Sequence, residues 1–306
     1  MNGGVQVDWR RQDQGDNVRE TYGSVLPGMS LADMTGKLIV IEGTDGVGRS
    51  TQINLLKPWL EQQGRAVLDT GLTRSALAGK GIKQAKVGHT LGPLTLSLFY
   101  ATDFVDRLEQ EIVPALRAGF VVLTDRYIYS LMARALIRGI DAAWLRNAYS
   151  FALKPDAVFY LRVGVDDLIP RVVFSRGFDY WESGMDLHPS EDMYESFRKY
   201  QTSLLAQFDA LAMEYSFEVI DASAEAPRIF GQLRDRIGSV LSGEPREPLF
   251  SLPPAQAAPQ VASDGDGKKP AAARAPAGAE KTPGEERAAK PAIHAAAKTS
   301  GGAESV

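Results

Sequence analysis

Five apolar runs, each five to seven residues long, divide the middle of the chain. They are LIVIE (38–42), AVLDT (66–70), FVVLTD (120–125), AVFYLRV (157–163) and FEVID (217–221). Short continuous runs of this kind are typical of strands that are buried on both faces of a parallel sheet. The pattern therefore predicts five parallel strands.

The segments between these runs have the apolar spacing of helices. The clearest lies between residues 91 and 119, where Pro93 suits a first helical turn and Gly119 suits a C-terminal cap. Its apolar residues recur at helical intervals, at Leu94, Leu98, Val105, Leu108, Ile112 and Leu116. Strands that alternate with helices predict an α/β fold, a five-stranded parallel sheet with helices on both faces. Such sheets bind ligands beyond the carboxyl ends of their strands.

Composition divides the chain into three parts. Residues 243–306 hold nine of the 17 prolines in an Ala/Pro/Lys/Glu-rich sequence, which is typical of a disordered tail because it cannot bury enough apolar surface to fold. Residues 1–34 are predicted to be a partly disordered N-terminal extension. The folded domain is expected to span residues 35–242.

Charge and residue content exclude several classes of function. The net charge of -4 gives no electrostatic basis for binding nucleic acid or an anionic membrane. The absence of cysteine excludes disulfides and thiolate metal sites. No apolar run approaches the roughly 18 residues of a membrane span, and the polar N-terminus lacks a signal-peptide core. We expect a cytoplasmic protein with neither nucleic acid nor a membrane as a partner.

The sequence EGTDGVGRST (42–51) follows the first predicted strand and opens a predicted helix. Its glycines would allow backbone N–H groups to turn inward around a phosphate, at the positive end of the helix. Ser50 would supply a hydroxyl to Mg²⁺ in a nucleotide complex. The motif of such loops, G-x-x-x-x-G-K-[ST], is kept except that Arg49 replaces the lysine. The alternative is a glycine-rich turn without a ligand.

The third predicted strand ends in Asp125 and Arg126. If the first and third strands are neighbours, these side chains lie beside the glycine-rich loop. A carboxylate there could hold a metal-bound water, and an arginine could form a forked contact with a phosphate. The alternative is an Asp–Arg pair that caps the next helix.

Several segments together resemble the thymidylate kinases, a branch of the P-loop nucleoside monophosphate kinases. They are IEGTDGVGRST (41–51), LFYATD (98–103), TDRYIYS (124–130), PDAVFYLRV (155–163) and, in place of the family's lid, PRVVFSRGFDYWESGMD (170–186). Their order and spacing match the family from about residue 37 to 241. The resemblance implies a three-layer P-loop NTPase fold, with ATP on the loop, Mg²⁺ as cofactor and a nucleoside monophosphate in the opposite groove.

The resemblance also implies roles for single residues. The expected ATP-binding residues are Gly43, Thr44, Asp45, Gly46, Val47, Gly48, Arg49, Ser50 and Thr51. The expected acceptor-binding residues are Asp45, Arg74, Tyr100, Phe104, Arg126 and Tyr127. The expected catalytic residues are Asp45, Arg49, Arg126 and Arg176. The expected Mg²⁺ contacts are Ser50 and Asp125.

The acceptor half of this pattern departs from the family. Phe104 stands where the family has an arginine that recognises thymine, and Leu131 replaces a polar residue. Arg134 lies near the position of the tyrosine that excludes a ribose 2′-hydroxyl, and Arg74 only partly replaces the segment that follows the second strand. A site that loses hydrogen-bonding groups loses much of its selectivity.

Two classes of function stay open. The first is a kinase that transfers the γ-phosphoryl group of ATP to a nucleoside monophosphate, with dTMP to dTDP as the nearest family assignment, or to a different small acceptor. The second is a catalytically impaired protein that binds or senses nucleotides, which the loss of the loop lysine favours. The resemblance further implies that two copies could form a homodimer through their long helices.

Overall fold

The computed structural model describes residues 19–87 and 91–244. Its strands are β1 (Lys37–Gly43), β2 (Val67–Gly71), β3 (Val121–Asp125), β4 (Ala157–Arg162) and β5 (Glu218–Asp221). They form one parallel sheet in the order β2-β3-β1-β4-β5. The predicted five-stranded parallel sheet is confirmed, and no strand end differs from its predicted run by more than one residue.

Helices connect the strands. Those in the described residues are α1 (Arg49–Gln62), α2 (Gly79–Val87), α3 (Pro93–Arg107), α4 (Val113–Arg117), α5 (Ile128–Ile137), α6 (Ala142–Ala148), α7 (Val165–Ser175), α8 (Met193–Glu214) and α9 (Ala226–Ser242). A π-helical turn, Leu108–Ile112, joins α3 to α4. In residues 19–87 and 91–244 no helix is both long and apolar enough to cross a membrane.

The sheet has a core on each face. Successive side chains of a strand point to opposite faces, and in β1 Leu38 and Val40 join one buried cluster while Ile39 and Ile41 join the other. Helices α3, α5 and α8 cover the first face, and α1, α7 and α9 cover the second. The predicted three-layer arrangement is confirmed. It explains why the strands are apolar without alternation.

The apolar stripe predicted for the long helix is only partly correct. Leu108, Ile112 and Leu116 are fully buried, whereas Leu94 is 48 % and Leu98 is 49 % exposed. The buried face of α3 instead carries Leu96, Tyr100 and Phe104. Helix α3 has apolar residues on more than one face, so the spacing alone could not show which face is buried. The structure buries the face that carries the aromatic rings.

Part of the predicted N-terminal extension packs on the domain, while residues 1–18 lie outside the described residues. The Arg19 guanidinium donates hydrogen bonds to the carbonyl of Gly36 (2.8 Å) and to the Asp156 carboxylate (2.8 Å). Thr21 forms an antiparallel bridge with Leu153. Residues 19–22 therefore run along the segment that precedes β4, and we call residues 19–34 the N-terminal strap.

The topology places the predicted chemistry at one edge of the sheet. Strands β1 and β3 are neighbours, with Ile41 opposite Asp125. The loop after β1 and the residues after β3 therefore leave the sheet side by side. This adjacency was the condition for Asp125 and Arg126 to lie beside the glycine-rich loop, and it is met.

Helix α9 ends at Ser242, and Gly243 follows in a left-handed conformation (φ 76°); the domain boundary at residue 242 stays a prediction. The predicted tail lies outside the described residues from residue 245 onward. Because its composition does not support a packed core, we expect a chain that ends at residue 244 to keep the Tm of the full chain. Calorimetry on both chains tests this expectation, and a Tm several degrees lower in the shortened chain would contradict it.

Candidate active site

A tight loop joins β1 to α1 and needs glycine at two of its positions. Gly46 (φ 83°) and Gly48 (φ 104°) adopt left-handed conformations that L side chains rarely take. A Cβ atom at Gly46 would also lie 2.4 Å from a methyl carbon of Val172 on α7. The absence of a side chain at Gly46 therefore allows the loop to pack closely against α7. Its backbone N–H groups precede the positive end of α1, which is an anion-binding arrangement.

The Arg49 side chain folds back across this loop. Its Nη1 donates hydrogen bonds to the carbonyls of Gly43 (2.7 Å) and Thr44, and its Nε donates to the Asp125 carboxylate (2.8 Å). The Ser50 hydroxyl donates to the other oxygen of Asp125 (3.2 Å). Asp125 thus links the first turn of α1 to the end of β3.

Asp125 carries a negative charge in this setting. Burial by itself would raise the pKa of its carboxyl, but the charges of Arg49 and Arg126 and the hydrogen bonds from Arg49 and Ser50 outweigh burial and lower it. An ionised carboxylate beside a hydroxyl suits Mg²⁺, which binds few protein oxygens and completes its octahedron with water and phosphate. Ser50 and Asp125 therefore fit the predicted cation.

A second buried ion cluster lies at the other end of the loop. Asp45, which is only 3 % exposed, accepts a hydrogen bond from Arg126 and two from Arg134, at 2.9 and 2.8 Å. Burial would raise the pKa of Asp45, but the charges of Arg126 and Arg134 hold it well below its usual range. Asp45 is thus an anion held between two cations.

Arg126 is placed by its backbone as well as by its charge. Its φ of 73° lies in the left-handed region, which is uncommon for a residue with a side chain. This turn directs the guanidinium to Asp45 and to the Ser130 hydroxyl (3.1 Å). Burial, together with the nearby charges of Arg134 and Arg49, lowers the pKa of Arg126 to about 10, so the side chain is still cationic at neutral pH.

The loop and the ion cluster open into a single cleft of about 470 Å³. Seven of its lining residues are cationic and three are anionic, namely Arg49, Arg74, Lys86, Arg126, Arg134, Arg171 and Arg176 against Asp45, Asp125 and Glu182. The whole chain is acidic, so positive charge is concentrated at this site. Because cationic side chains predominate in the cleft, it attracts anionic ligands.

The end of α7 and the segment after it line one side of the cleft. Arg171 donates hydrogen bonds to the carbonyls of Ala222 (2.7 Å) and Ser223 (3.1 Å), and Arg176 forms an ion pair with Glu182. Arg171 is therefore fixed against the chain after β5. Arg176, whose side chain is 51 % exposed, can reorient toward a ligand.

A smaller pocket adjoins the cleft and encloses about 20 Å³, room for one water molecule. Its walls include Tyr100, Leu131, Arg134 and the Trp181 ring. The indole N–H donates to the Lys86 carbonyl (3.0 Å), and the Lys86 ammonium lies 5.6 Å from the indole centroid. A nucleobase is larger than this volume, so side chains of the pocket walls must move before one can enter.

Comparison with known proteins identifies the family. The thymidylate kinase family model matches residues 41–229. A probable thymidylate kinase 2 of Saccharolobus solfataricus is 38 % identical over 210 residues, which cover 68 % of this chain and 98 % of that protein. This chain belongs to the thymidylate kinase family.

Other relatives agree with this family assignment. A thymidylate kinase of Brachyspira hyodysenteriae is 33 % identical over 169 residues, 54 % of this chain and 83 % of that protein. A probable thymidylate kinase of Thermococcus kodakarensis is 37 % identical over 147 residues, 44 % of this chain and 70 % of that protein. The predicted membership in the thymidylate kinase family is confirmed, and the chain is a nucleotide kinase by family.

Most side chains assigned by resemblance to thymidylate kinases meet in the cleft. They are Asp45, Arg49, Ser50, Thr51, Arg74, Tyr100, Asp125, Arg126 and Arg176, together with the backbone of Gly46 and Gly48. The side chains of Thr44 and Val47 are buried beneath the loop. With Gly43, these residues can contribute backbone groups only. Arg74 pairs with Asp69 at the edge of the site (2.9 Å).

Two predicted acceptor contacts lie elsewhere. Phe104 and Tyr127 are fully buried and line neither the cleft nor the adjoining pocket. Their rings pack edge to face at 5.0 Å, and the Tyr127 hydroxyl donates to the Leu153 carbonyl (3.0 Å). The structure therefore places both residues in the core behind the site. The Phe104 ring has no polar atom that needs a hydrogen-bond partner in the cleft, so it packs into the core.

Sequence reasoning missed Glu42, which positions the start of α5. Its carboxylate accepts hydrogen bonds from the backbone N–H groups of Tyr127 (2.8 Å) and Ser130 (3.2 Å) and from the Ser130 hydroxyl (2.6 Å). These bonds hold the turn that carries Arg126. An acidic residue at the end of an otherwise apolar strand was the available signal, since a buried carboxylate needs donors.

Arg134 and Asp103 are two more residues whose roles were missed. Arg134 was noted only as a departure from the family, yet its Nη2 donates to both carboxylate oxygens of Asp45. Asp103 accepts hydrogen bonds from the backbone N–H groups of Thr73 and Ser75, each at 3.0 Å, and so fixes the loop that carries Arg74. Neither partner could be identified from sequence spacing.

Proposed function

We propose that this chain transfers the γ-phosphoryl group of ATP to a nucleoside monophosphate. The observation that carries the proposal is the convergence of the glycine-rich loop, the Asp45–Arg126–Arg134 cluster and Arg176 on one cationic cleft. Phosphoryl transfer requires mainly positioning of the reactants and neutralisation of charge. The nearest acceptor is dTMP, because the relatives are named thymidylate kinases.

Each end of the cleft has a distinct proposed role. The loop N–H groups and Arg49 bind the phosphates of ATP, and Ser50 and Asp125 hold Mg²⁺. When bound, Mg²⁺ supplies positive charge to the phosphate oxygens. Arg126 binds the acceptor phosphate with a forked contact, and Asp45 keeps the Arg126 guanidinium in place. Arg176 leaves Glu182 and contacts the phosphoryl group that is transferred.

An ADP-release assay with Mg²⁺, ATP and a panel of nucleoside monophosphates tests the proposal. We expect ADP release that depends on the acceptor and on Mg²⁺, and that falls sharply in Arg126→Met. Arg162→Met is a matched control, since Arg162 forms a bidentate pair with Asp209 outside the cleft. ADP release that is the same with and without every acceptor would contradict the proposal.

The small pocket beside the cleft is proposed to receive the base of the acceptor, and we call it the acceptor pocket. Its walls predict a broad base preference. Leu131, Tyr100 and Trp181 give it an apolar wall, and the Ser97 hydroxyl is already bonded to the Pro93 carbonyl (2.9 Å). Few groups are left to distinguish one base edge from another. We expect kcat/KM for dTMP to lie within about 100-fold of the values for other pyrimidine monophosphates. A larger lead for dTMP in the same assay would contradict this interpretation of the pocket.

A catalytically impaired nucleotide-binding protein is the second candidate. The observation that favours it is the position of Arg49, whose guanidinium is bonded to two loop carbonyls and to Asp125. An arginine held in this way attracts ATP but follows a moving phosphoryl group poorly. Titration calorimetry with ATP distinguishes the two candidates when combined with the assay, because the second predicts binding without turnover.

We also propose a homodimer that forms through α3. Leu94 and Leu98 lie four residues apart on this helix and are both half exposed, so they present apolar surface on one helix face, which favours association. Light scattering at micromolar concentration should give twice the chain mass, and Leu98→Glu should give a single chain. Met213→Glu, at a 62 % exposed site on α8, should stay dimeric. A wild-type monomer would contradict the proposal.

A further inference from the structure

A second pocket lies outside the cleft, where the N-terminal strap meets α5, α6 and the end of α8. We call it the strap pocket. It has a volume of about 360 Å³, which falls within the range of small-molecule sites. Its principal lining residues are Tyr22, Met132, Arg146, Tyr149, Lys154 and Tyr215.

The strap pocket is separate from the cationic cleft and has one lining residue, Tyr149, in common with the acceptor pocket. It shares no lining residue with the cationic cleft. One wall is formed by Tyr22, which precedes the residues matched by the thymidylate kinase family model. The proposed transfer reaction therefore leaves this pocket without a role.

The walls combine aromatic faces with a charged rim. Tyr22 meets Tyr215 edge to face at 5.3 Å, and its hydroxyl is bonded to that of Tyr129. Burial raises the pKa of both Tyr22 and Tyr149, so their rings are neutral at physiological pH. Neutral rings of this kind favour the flat face of an aromatic ligand.

The charged side chains lie at the solvent side. Arg146 donates two hydrogen bonds of 2.8 Å to Glu214, and Lys154 pairs with Glu20. Arg146 is 45 % exposed and Glu20 is 65 % exposed in these pairs. Water screens such exposed pairs, so a ligand anion can replace a carboxylate partner at small cost. Of the charged lining residues, two are cationic and one, Glu214, is anionic.

We infer that the strap pocket binds a small planar aromatic molecule that carries one carboxylate. Its ring would lie among Tyr22, Tyr149 and Tyr215, and its carboxylate would accept hydrogen bonds from Arg146 and Lys154. Arginine is suited to this contact because its planar fork matches a carboxylate. Met132 and Ile128 supply the apolar floor.

Fluorine NMR with 4-fluorobenzoate on the full chain tests the site, with saturating ATP present to occupy the cleft. Two matched probes separate the chemical requirements, since 4-fluorobenzamide lacks the charge and fluoroacetate lacks the ring. We expect 4-fluorobenzoate to bind at least about tenfold more tightly than either probe. Equal affinities, or no binding, would overturn the proposal.

Two variants locate the probe. Arg146→Met should weaken 4-fluorobenzoate binding by at least about fivefold. Arg234→Met should leave it unchanged, because Arg234 is 46 % exposed and paired with Asp235 on α9, away from the pocket. The same affinity in wild type and Arg146→Met would place the probe elsewhere and overturn the site. So would 4-fluorobenzoate binding that occurs without ATP and is lost when ATP is present.

The strap pocket also predicts an effect on the acceptor, which rests on the proposed function. Tyr149 lines both the strap pocket and the acceptor pocket, and α5 contributes a wall to each. Saturating 4-fluorobenzoate should therefore change the Kd of dTMP by at least about threefold, and dTMP should change the probe's Kd equally. An unchanged dTMP Kd would overturn this coupling, whereas the probe measurements alone decide the site.

Discussion

Asp45→Asn is expected to lower the free energy of unfolding by about 3–5 kcal/mol and to reduce turnover by at least about 100-fold. The reason is that Asp45 is the buried anion between Arg126 and Arg134. Asparagine keeps the shape but leaves two buried cations facing each other. Arg126 would then lose the partner that holds it toward the acceptor phosphate.

The pH dependence of this stabilisation has a definite sign. The pKa of Asp45 in the folded chain is below its ordinary value, so its contribution is fully present above about pH 4, the ordinary pKa of aspartate. It is lost as the pH falls below that value. The difference in unfolding free energy between wild type and Asp45→Asn should therefore shrink on acidification, as measured by urea unfolding at several pH values.

Two further variants make the test specific. Adding Arg134→Met to Asp45→Asn removes one uncompensated cation, so stability should partly return while turnover stays low. Asp209→Asn disrupts the bidentate pair with Arg162 outside the cleft and should leave turnover near that of the wild type. If Asp45→Asn keeps wild-type stability and turnover, the cluster has neither proposed role.

The sheet and the loop could be predicted because local sequence determines them. A continuous apolar run has few alternatives to a buried strand, and the glycines at positions 46 and 48 meet a backbone requirement that other residues meet poorly. The order of the strands was not predicted, because the adjacency of β1 and β3 stood only as a condition, which the structure meets. Parallel strands then necessarily placed Asp125 beside the loop.

The walls of the acceptor pocket could not be predicted in the same way. Phe104 and Leu131 both replace polar residues of the family pattern, yet Phe104 packs into the core and Leu131 lines the pocket. Which way each side chain points depends on contacts with residues distant in sequence. The ion pair of Arg134 with Asp45 joins residues 89 positions apart, and no periodicity reveals such a pair.

Arg49→Lys is expected to raise turnover by about tenfold or more, which requires only about 1.4 kcal/mol of transition-state stabilisation. Lysine is a compact charge on a flexible stem that can follow the transferring phosphoryl group. The Arg49 guanidinium is planar and is held by the Gly43 and Thr44 carbonyls and by Asp125. Arg49 therefore still attracts ATP, but it stabilises the transition state little more than it stabilises bound ATP.

The same argument predicts how binding and turnover separate. Arg49→Lys should leave the Kd of ATP nearly unchanged, because both side chains carry one positive charge, so the change appears in kcat. Arg49→Ala should weaken ATP binding as well. It also removes the cation that lowers the pKa of Asp125, so that pKa should rise toward its ordinary value.

Titration calorimetry with ATP and the ADP-release assay on wild type, Arg49→Lys and Arg49→Ala measure both effects. One result would reverse the interpretation, namely slower turnover in Arg49→Lys at unchanged ATP affinity. Lysine cannot make the three contacts of the guanidinium with the same geometry. Such a result would therefore mean that the loop and Asp125 are built around arginine, and that Arg49 itself stabilises the transferring phosphoryl group.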